Sequence, residues 1–140
     1  MMEGLLVDTN VVLDLLGRRK PFHVEAQQLF SLREKNEVRL FISVLIFANA
    51  HYIMTRQLDA VQAKRALRKL KILVGILPVS ERTIELALNS DFGDFEDAIQ
   101  YFSAIESHIN VIITRNQKAF KHATLPVLWA RVYLSMHDPG

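Results

Sequence analysis

Short apolar runs alternate along this chain with stretches in which apolar residues recur every three or four positions. The run Gly4-Leu5-Leu6-Val7 stops at Asp8 and reads as a buried strand. A helical stretch follows over 11–17. Pro21 then opens a second helix that carries Phe22, Ala26, Leu29 and Phe30 on one face and runs to about residue 35. Residues 39–42 form the second strand. Ser43 is placed to cap a helix over 44–56, which is apolar nearly all round and therefore belongs between layers. Asp59 and Gln62 have capping-box spacing and open an amphipathic helix. Its stripe is Ala63, Ala66, Leu67 and Leu70, with Lys64, Arg65, Arg68, Lys69 and Lys71 opposite.

A third strand is expected over 76–79, with Pro78 marking a strand end or an edge. Ser80 caps a helix to about residue 88, and Asn89-Ser90-Asp91 is a turn cluster. Asp94 caps a helix over 95–107 that turns Ala98, Phe102 and Ile105 inward. Residues 111–114 are a fourth strand and 126–128 a candidate fifth. The segment 129–136 is read as packing on the protein's own core through Val132, Tyr133 and Leu134, with a dimer contact as the other option. Alternation of this kind predicts an α/β fold with a central parallel sheet of four or five strands and helices on both faces.

At 140 residues the chain has the length of one domain, expected to span 1–140. Hydrophobic residues make up 50% and charged residues 23%, which excludes a chain too polar to bury a core. The absence of cysteine excludes disulfide scaffolds, thiolate metal sites and thiol nucleophiles. The longest uncharged stretch, 40–55, is 16 residues long and is interrupted by Ser43, Asn49 and His51, short of the roughly 20 apolar residues of a membrane span. Glu3, Asp8 and Asp14 do not fit a secretory signal, so the expectation is a soluble, cytoplasmic protein. A net charge of +2 says little about partners, and only the placement of the charges can.

Open parallel sheets bind ligands beyond the carboxyl ends of their strands. Those ends carry Asp8-Thr9-Asn10, Ser43 with Asn49 further into its helix, and Thr114-Arg115-Asn116, while Asp94 and Asp97 begin the helix leading into the fourth strand. Carboxylates gathered there repel by roughly 4 kcal/mol when about 4 Å apart at an effective dielectric near 20, which a cation would offset. Oxygen donors with room for water suit Mg2+ or Mn2+ better than zinc, and such an ion polarises a phosphoryl oxygen and lowers the pKa of a bound water. Phosphodiester hydrolysis is the matching reaction. Plainer readings exist for each residue: Asp94 as a helix cap, Asp97 as a partner of the helix dipole, the basic face 64–71 as a solvated face, and His51 and His108 as structural.

Taken together, four blocks resemble the PIN domain family, metal-dependent ribonucleases that include the VapC toxins of bacterial toxin–antitoxin pairs. They are Leu6-Val7-Asp8-Thr9-Asn10-Val11 with Asp14, Phe41-Ile42-Ser43, Asp94-Phe95-Glu96-Asp97-Ala98, and Ile113-Thr114-Arg115-Asn116 with Phe120. The resemblance implies a three-layer α/β/α fold and a metal held by Asp8 and Asp97, with Asn49 and Asn116 at two further ligand positions. Asp94 would support the metal or orient water, and Thr114 would contact the metal shell or scissile phosphate. It further implies single-stranded RNA as substrate, an antitoxin protein as partner, and a homodimer. Three positions where the family usually has acids carry Asn49, Asn116 and Ala119. A weakened PIN domain that binds RNA or protein without cutting is therefore the alternative. A receiver domain is disfavoured because its third strand would have to end in a carboxylate, and a haloacid-dehalogenase-type phosphatase because it needs Asp-x-Asp where this chain has Asp8-Thr9-Asn10.

Overall fold

Leu5, Leu6 and Val7 are wholly buried, so the strand that carries them lies in the middle of the molecule. In the computed structural model, which describes residues 2–137, this strand is β1 (Glu3–Val7). It leads to α1 (Thr9–Leu16), α2 (His23–Glu34), β2 (Val38–Ser43), α3 (Val44–Gln57), α4 (Ala60–Leu73) and β3 (Val74–Leu77). The remainder is α5 (Glu81–Leu88), α6 (Phe95–Glu106), β4 (Val111–Ile113), a 3-10 turn (Gln117–Phe120), β5 (Val127–Leu128) and α7 (Ala130–Met136).

Among the described residues the five strands form one sheet in the order β3-β2-β1-β4-β5, and every neighbouring pair is parallel. Among the described residues seven helices flank it in a three-layer α/β/α arrangement, with the fifth strand present. From β1 the chain steps outward through β2 to β3, then returns to the other side of β1 as β4. The carboxyl ends of β1 and β4 therefore border the point where strand order reverses.

Side chains start the helices where the sequence places them. Ser43 Oγ accepts from the Ile46 N–H at 3.2 Å, Asp59 Oδ1 from Gln62 N–H at 2.7 Å, and Asp94 Oδ1 from Asp97 N–H at 3.1 Å. Ser80 and Thr83 cap α5 reciprocally.

The third strand lies two residues earlier than expected, at Val74–Leu77 instead of 76–79. Its register pairs Leu40 with Val74 and Ser43 with Leu77. Ser43 is the last residue of β2 and already caps α3, so Pro78 and Val79 have nothing left to pair with. Gly75 sits where the Phe41 ring crosses the strand, and a Cβ there would lie 2.7 Å from that ring. The first helix begins at Thr9, two residues earlier than its apolar pattern indicates, because Asp8 caps it directly.

The C-terminal segment does pack on the core, with Ala130 and Tyr133 buried, Leu134 partly so and α7 against α2, but Val132 points to solvent. Tyr133 donates its hydroxyl to Glu3 Oε1 at 2.8 Å, and burial together with this bond pushes the phenol up. His108 closes α6 with φ 59°, in the left-handed region. Among the described residues no helix is long and apolar enough to cross a membrane.

Candidate active site

Asp8 ends β1 and caps α1, which fixes its side chain at the sheet's carboxyl edge. One oxygen accepts from the Thr9 N–H at 2.7 Å, and the other from the Thr114 hydroxyl at 2.8 Å. The carboxylate is 6% exposed. Burial raises its pKa; hydrogen bonds from Thr114, Thr9 and Gln100 oppose that rise, and the charge of Glu96 adds to it.

Thr114 is fully buried behind Asp8. Its hydroxyl gives its one proton to Asp8 and accepts from Asn10 Nδ2 at 3.2 Å and the Asn116 N–H at 3.0 Å. A contact with a scissile phosphate, implied by the resemblance, does not fit this burial. Thr114 orients Asp8 instead.

Facing Asp8 is the first turn of α6. Asp97 is half-buried, and its pKa is raised from 3.8 to about 7, first by that burial and then by the charges of Asp8, Asp94 and Glu96. Asp8, Asp97, Asn49 and Glu96 line one open cleft of about 520 Å3, together with Asn10 and Arg19. Asp94 is exposed, caps α6 and is absent from the cleft wall, although its charge is felt at Asp97. Asn116 is exposed at the start of the 3-10 turn and Ala119 packs half-buried against the core, so neither reaches the cleft. Of the four expected ligands Asp8, Asp97, Asn49 and Asn116, the first three line this cleft and Asn116 does not.

Two residues of α6 were not singled out from the sequence. Glu96 lines the cleft and takes two long hydrogen bonds from Asn49 Nδ2, each 3.4 Å. Gln100 is 2% exposed, lies close enough to Asp8 to oppose the rise of its pKa, and holds a buried Oε1 with no partner among the described residues. Glu96 and Gln100 are one helical turn apart, with Asp97 beside them, and that spacing was the signal available.

Asp14, part of the opening block, is committed elsewhere. It is 1% exposed and bound by two arginines, Arg115 through both of its oxygens at 2.8 and 3.0 Å, and Arg19 at 3.1 Å. Arg115 also lies 3.8 Å from the centre of the Phe22 ring. Arg19 reaches the cleft wall and anchors itself on the Asn10 carbonyl at 3.1 Å, so a fixed positive charge stands beside the carboxylates.

A model of the PIN domain matches residues 4–118. The chain belongs to the PIN domain family. Ribonuclease VapC1 of Aquifex aeolicus (strain VF5) is 27% identical over 134 residues, covering 90% of each chain. Among solved structures, a toxin–antitoxin complex from Klebsiella pneumoniae superposes with a TM-score of 0.67 at 25% identity, covering 90% of this PIN domain and 97% of that chain. VapBC2 from Rickettsia felis, bound to a DNA fragment from its promoter, gives 0.68 at 17% identity over 90% and 98%.

The chemistry of the donor set bears on whether it can hold a divalent cation. Among the described residues no three His, Asp or Glu side chains converge tightly enough to form a cage by themselves. Mg2+ does not need one, since it keeps several waters and is held by one or two carboxylates. Asp8 and Asp97 supply those, and the mutual repulsion that raises Asp97 is what a cation would relieve. The residues fit the ion.

Proposed function

We propose that this PIN domain is a metal-dependent endoribonuclease of the VapC type that cuts single-stranded RNA. The observation that carries this reading is the cleft in which Asp8, Asp97 and Glu96 share one wall system with Arg19, in a chain similar over 90% of its length to a VapC ribonuclease. Asp8 and Asp97 would hold Mg2+ or Mn2+, with Asn49 offering a neutral oxygen. When bound, the ion supplies Lewis-acid polarisation of a phosphoryl oxygen and a more acidic water.

The protein's own part is positional. Thr9 and Thr114 hold Asp8 at both oxygens, so its carboxylate cannot rotate away. Arg19, held by Asp14 and by the Asn10 carbonyl, presents a guanidinium suited to a phosphate oxygen. Glu96 restores near Asn49 the negative charge that Asn49 lacks, and it supports either the ion or a proton transfer. A recessed acidic cleft favours flexible strands over duplex.

The likeness to toxin–antitoxin complexes supports an antitoxin partner; a homodimer is proposed from the family resemblance alone. The non-cutting alternative is favoured by one observation: among the described residues no carboxylate enters the cleft from beyond β4, where Asn116 is exposed and Ala119 is apolar.

Labelled single-stranded RNA incubated with the protein in Mg2+, Mn2+ or EDTA, beside Asp97→Asn, distinguishes the two. Cleavage that requires metal and is lost in the variant supports the nuclease. RNA binding without cleavage in any buffer leaves the binding module standing.

A further inference from the structure

The cationic face of α4 has no place in the site described above. Lys64, Arg68 and Lys71 are exposed, and none of them enters an ion pair or a side-chain hydrogen bond among the described residues. They line a second cavity of about 490 Å3 between α3, α4 and the edge strand β3. Its floor is apolar: Phe47 from α3, Leu67 from α4 and Ile76 from β3. His51 completes the wall, and among the described residues no carboxylate lines it.

This groove lies across α3 from the acidic cleft. Asn49, Tyr52 and Ile53 face the cleft, whereas Phe47 and His51 face the groove. Tyr52 stands at the crest, 61% exposed, with the Arg56 guanidinium 5.5 Å from its ring centre and donating to its hydroxyl at 3.0 Å. A strand crossing from cleft to groove would pass an aromatic ring backed by a cation and then enter an apolar slot rimmed by three more. Lys64, Arg68 and Lys71 follow i, i+4, i+7 spacing and extend about 10 Å along the helix, enough to meet two or three phosphates of one strand.

We propose that the groove between α3 and α4 binds the continuation of the RNA strand whose scissile phosphate lies in the acidic cleft. This rests on the ribonuclease reading and adds where the flanking nucleotides go. Lys64, Arg68 and Lys71 take backbone phosphates, and Phe47 with His51 offers rings for a base, the combination by which single strands are held without sequence readout. A second copy of this chain is a poorer occupant, because like-charged rims would face each other across a two-fold contact. An acidic protein segment has the right charge, but nothing ties it to the crest at Tyr52.

Binding of an RNA of about 15–20 nucleotides, long enough to fill both sites, is measured by fluorescence anisotropy in EDTA at several salt concentrations. In an Asp97→Asn background, the triple variant Lys64→Ala/Arg68→Ala/Lys71→Ala is compared with Lys35→Ala/Lys121→Ala/Arg131→Ala, which removes three exposed cations elsewhere. Each single-strand phosphate contact contributes about 0.7 to the log–log salt slope. The groove variant is expected to lose about 2 from that slope and about a hundredfold in affinity at roughly 0.1 M salt. Phe47→Leu, which keeps the apolar floor, is expected to lose about fivefold.

Equal losses in both triple variants would reduce the effect to net charge and overturn the proposal. So would unchanged RNA affinity with lost binding of polyglutamate, which would assign the groove to an acidic protein segment. If the groove variant binds normally while the unmodified protein cleaves RNA, the groove assignment fails and the nuclease stands. If the unmodified protein neither binds nor cuts RNA, both fail together.

Discussion

Replacing Asp97 by Asn should stabilise the metal-free protein at neutral and alkaline pH. The carboxyl is displaced from 3.8 to about 7 by partial burial and by Asp8, Asp94 and Glu96. A displacement of that size corresponds to about 4 kcal/mol between the two protonation states. Screening at a half-buried position brings the usable figure to about 1–2 kcal/mol. Because the folded-state pKa is raised, the native state binds the extra proton. The stability this group contributes is full below about pH 4 and is lost as pH rises through about 7. The amide carries no such dependence. Thermal unfolding in EDTA should therefore show Asp97→Asn no more stable than the parent near pH 4, and higher by about 3–8 °C at pH 8. Millimolar Mg2+ or Mn2+ should raise the midpoint of the parent at pH 8 and leave the variant nearly unmoved, since only the parent keeps both ligands. A variant less stable than the parent at pH 8, or a difference constant across pH, would refute the picture of uncompensated carboxylates awaiting a cation.

Other substitutions probe the surrounding shell. Asp14→Ala removes the carboxylate shared by Arg115 and Arg19, and chemical denaturation should report a loss of about 3 kcal/mol because two guanidiniums are left without their buried partner. Gln100→Met removes the amide beside Asp8 and with it an unpaired buried oxygen; stability should hold within about 1 kcal/mol while metal affinity by calorimetry falls about 10–100-fold. Asn49→Glu adds a carboxylate on the wall opposite α6 and should lower the Mg2+ concentration for half-maximal cleavage by about tenfold or more. Substantial activity unaffected by that change would eliminate the non-cutting reading.

The parallel sheet was legible because each strand is a short apolar run ending in a residue that must leave the sheet: Asp8 to cap α1, Ser43 to cap α3, Thr114 to support Asp8. The third strand slipped by two residues because local pattern favoured Ile76-Leu77-Pro78-Val79, whereas the register is set by β2, which runs out at Ser43. At the site, Asp8, Asp97 and Asn49 were readable from position alone. Glu96 and Gln100 were not, since they matter through which face of α6 meets Asp8, and that angle is fixed by tertiary packing. Burial was equally invisible: Thr114, expected at the strand end in contact with the metal shell or scissile phosphate, is fully enclosed in the fold.

Charge balance at the carboxyl edge of the sheet shows which acids are already satisfied and which still oppose one another. Of the acids at the carboxyl edge of the sheet, Asp14 is neutralised by Arg115 and Arg19, and Asp94 is exposed at a helix start where water and backbone N–H groups satisfy it. Asp8, Asp97 and Glu96 are left facing one cleft, and the only guanidinium on its wall, among the described residues, is Arg19, already shared with Asp14. The amide at Asn49 reduces the total charge without removing the repulsion, because its Nδ2 turns toward Glu96 and leaves Asp8 and Asp97 opposed. On the ribonuclease reading the charge of Glu96 beside Asn49 is the feature to test, and Glu96→Gln, which removes that charge and keeps one acceptor oxygen for Asn49 Nδ2, is expected to raise the Mg2+ concentration needed for half-maximal cleavage.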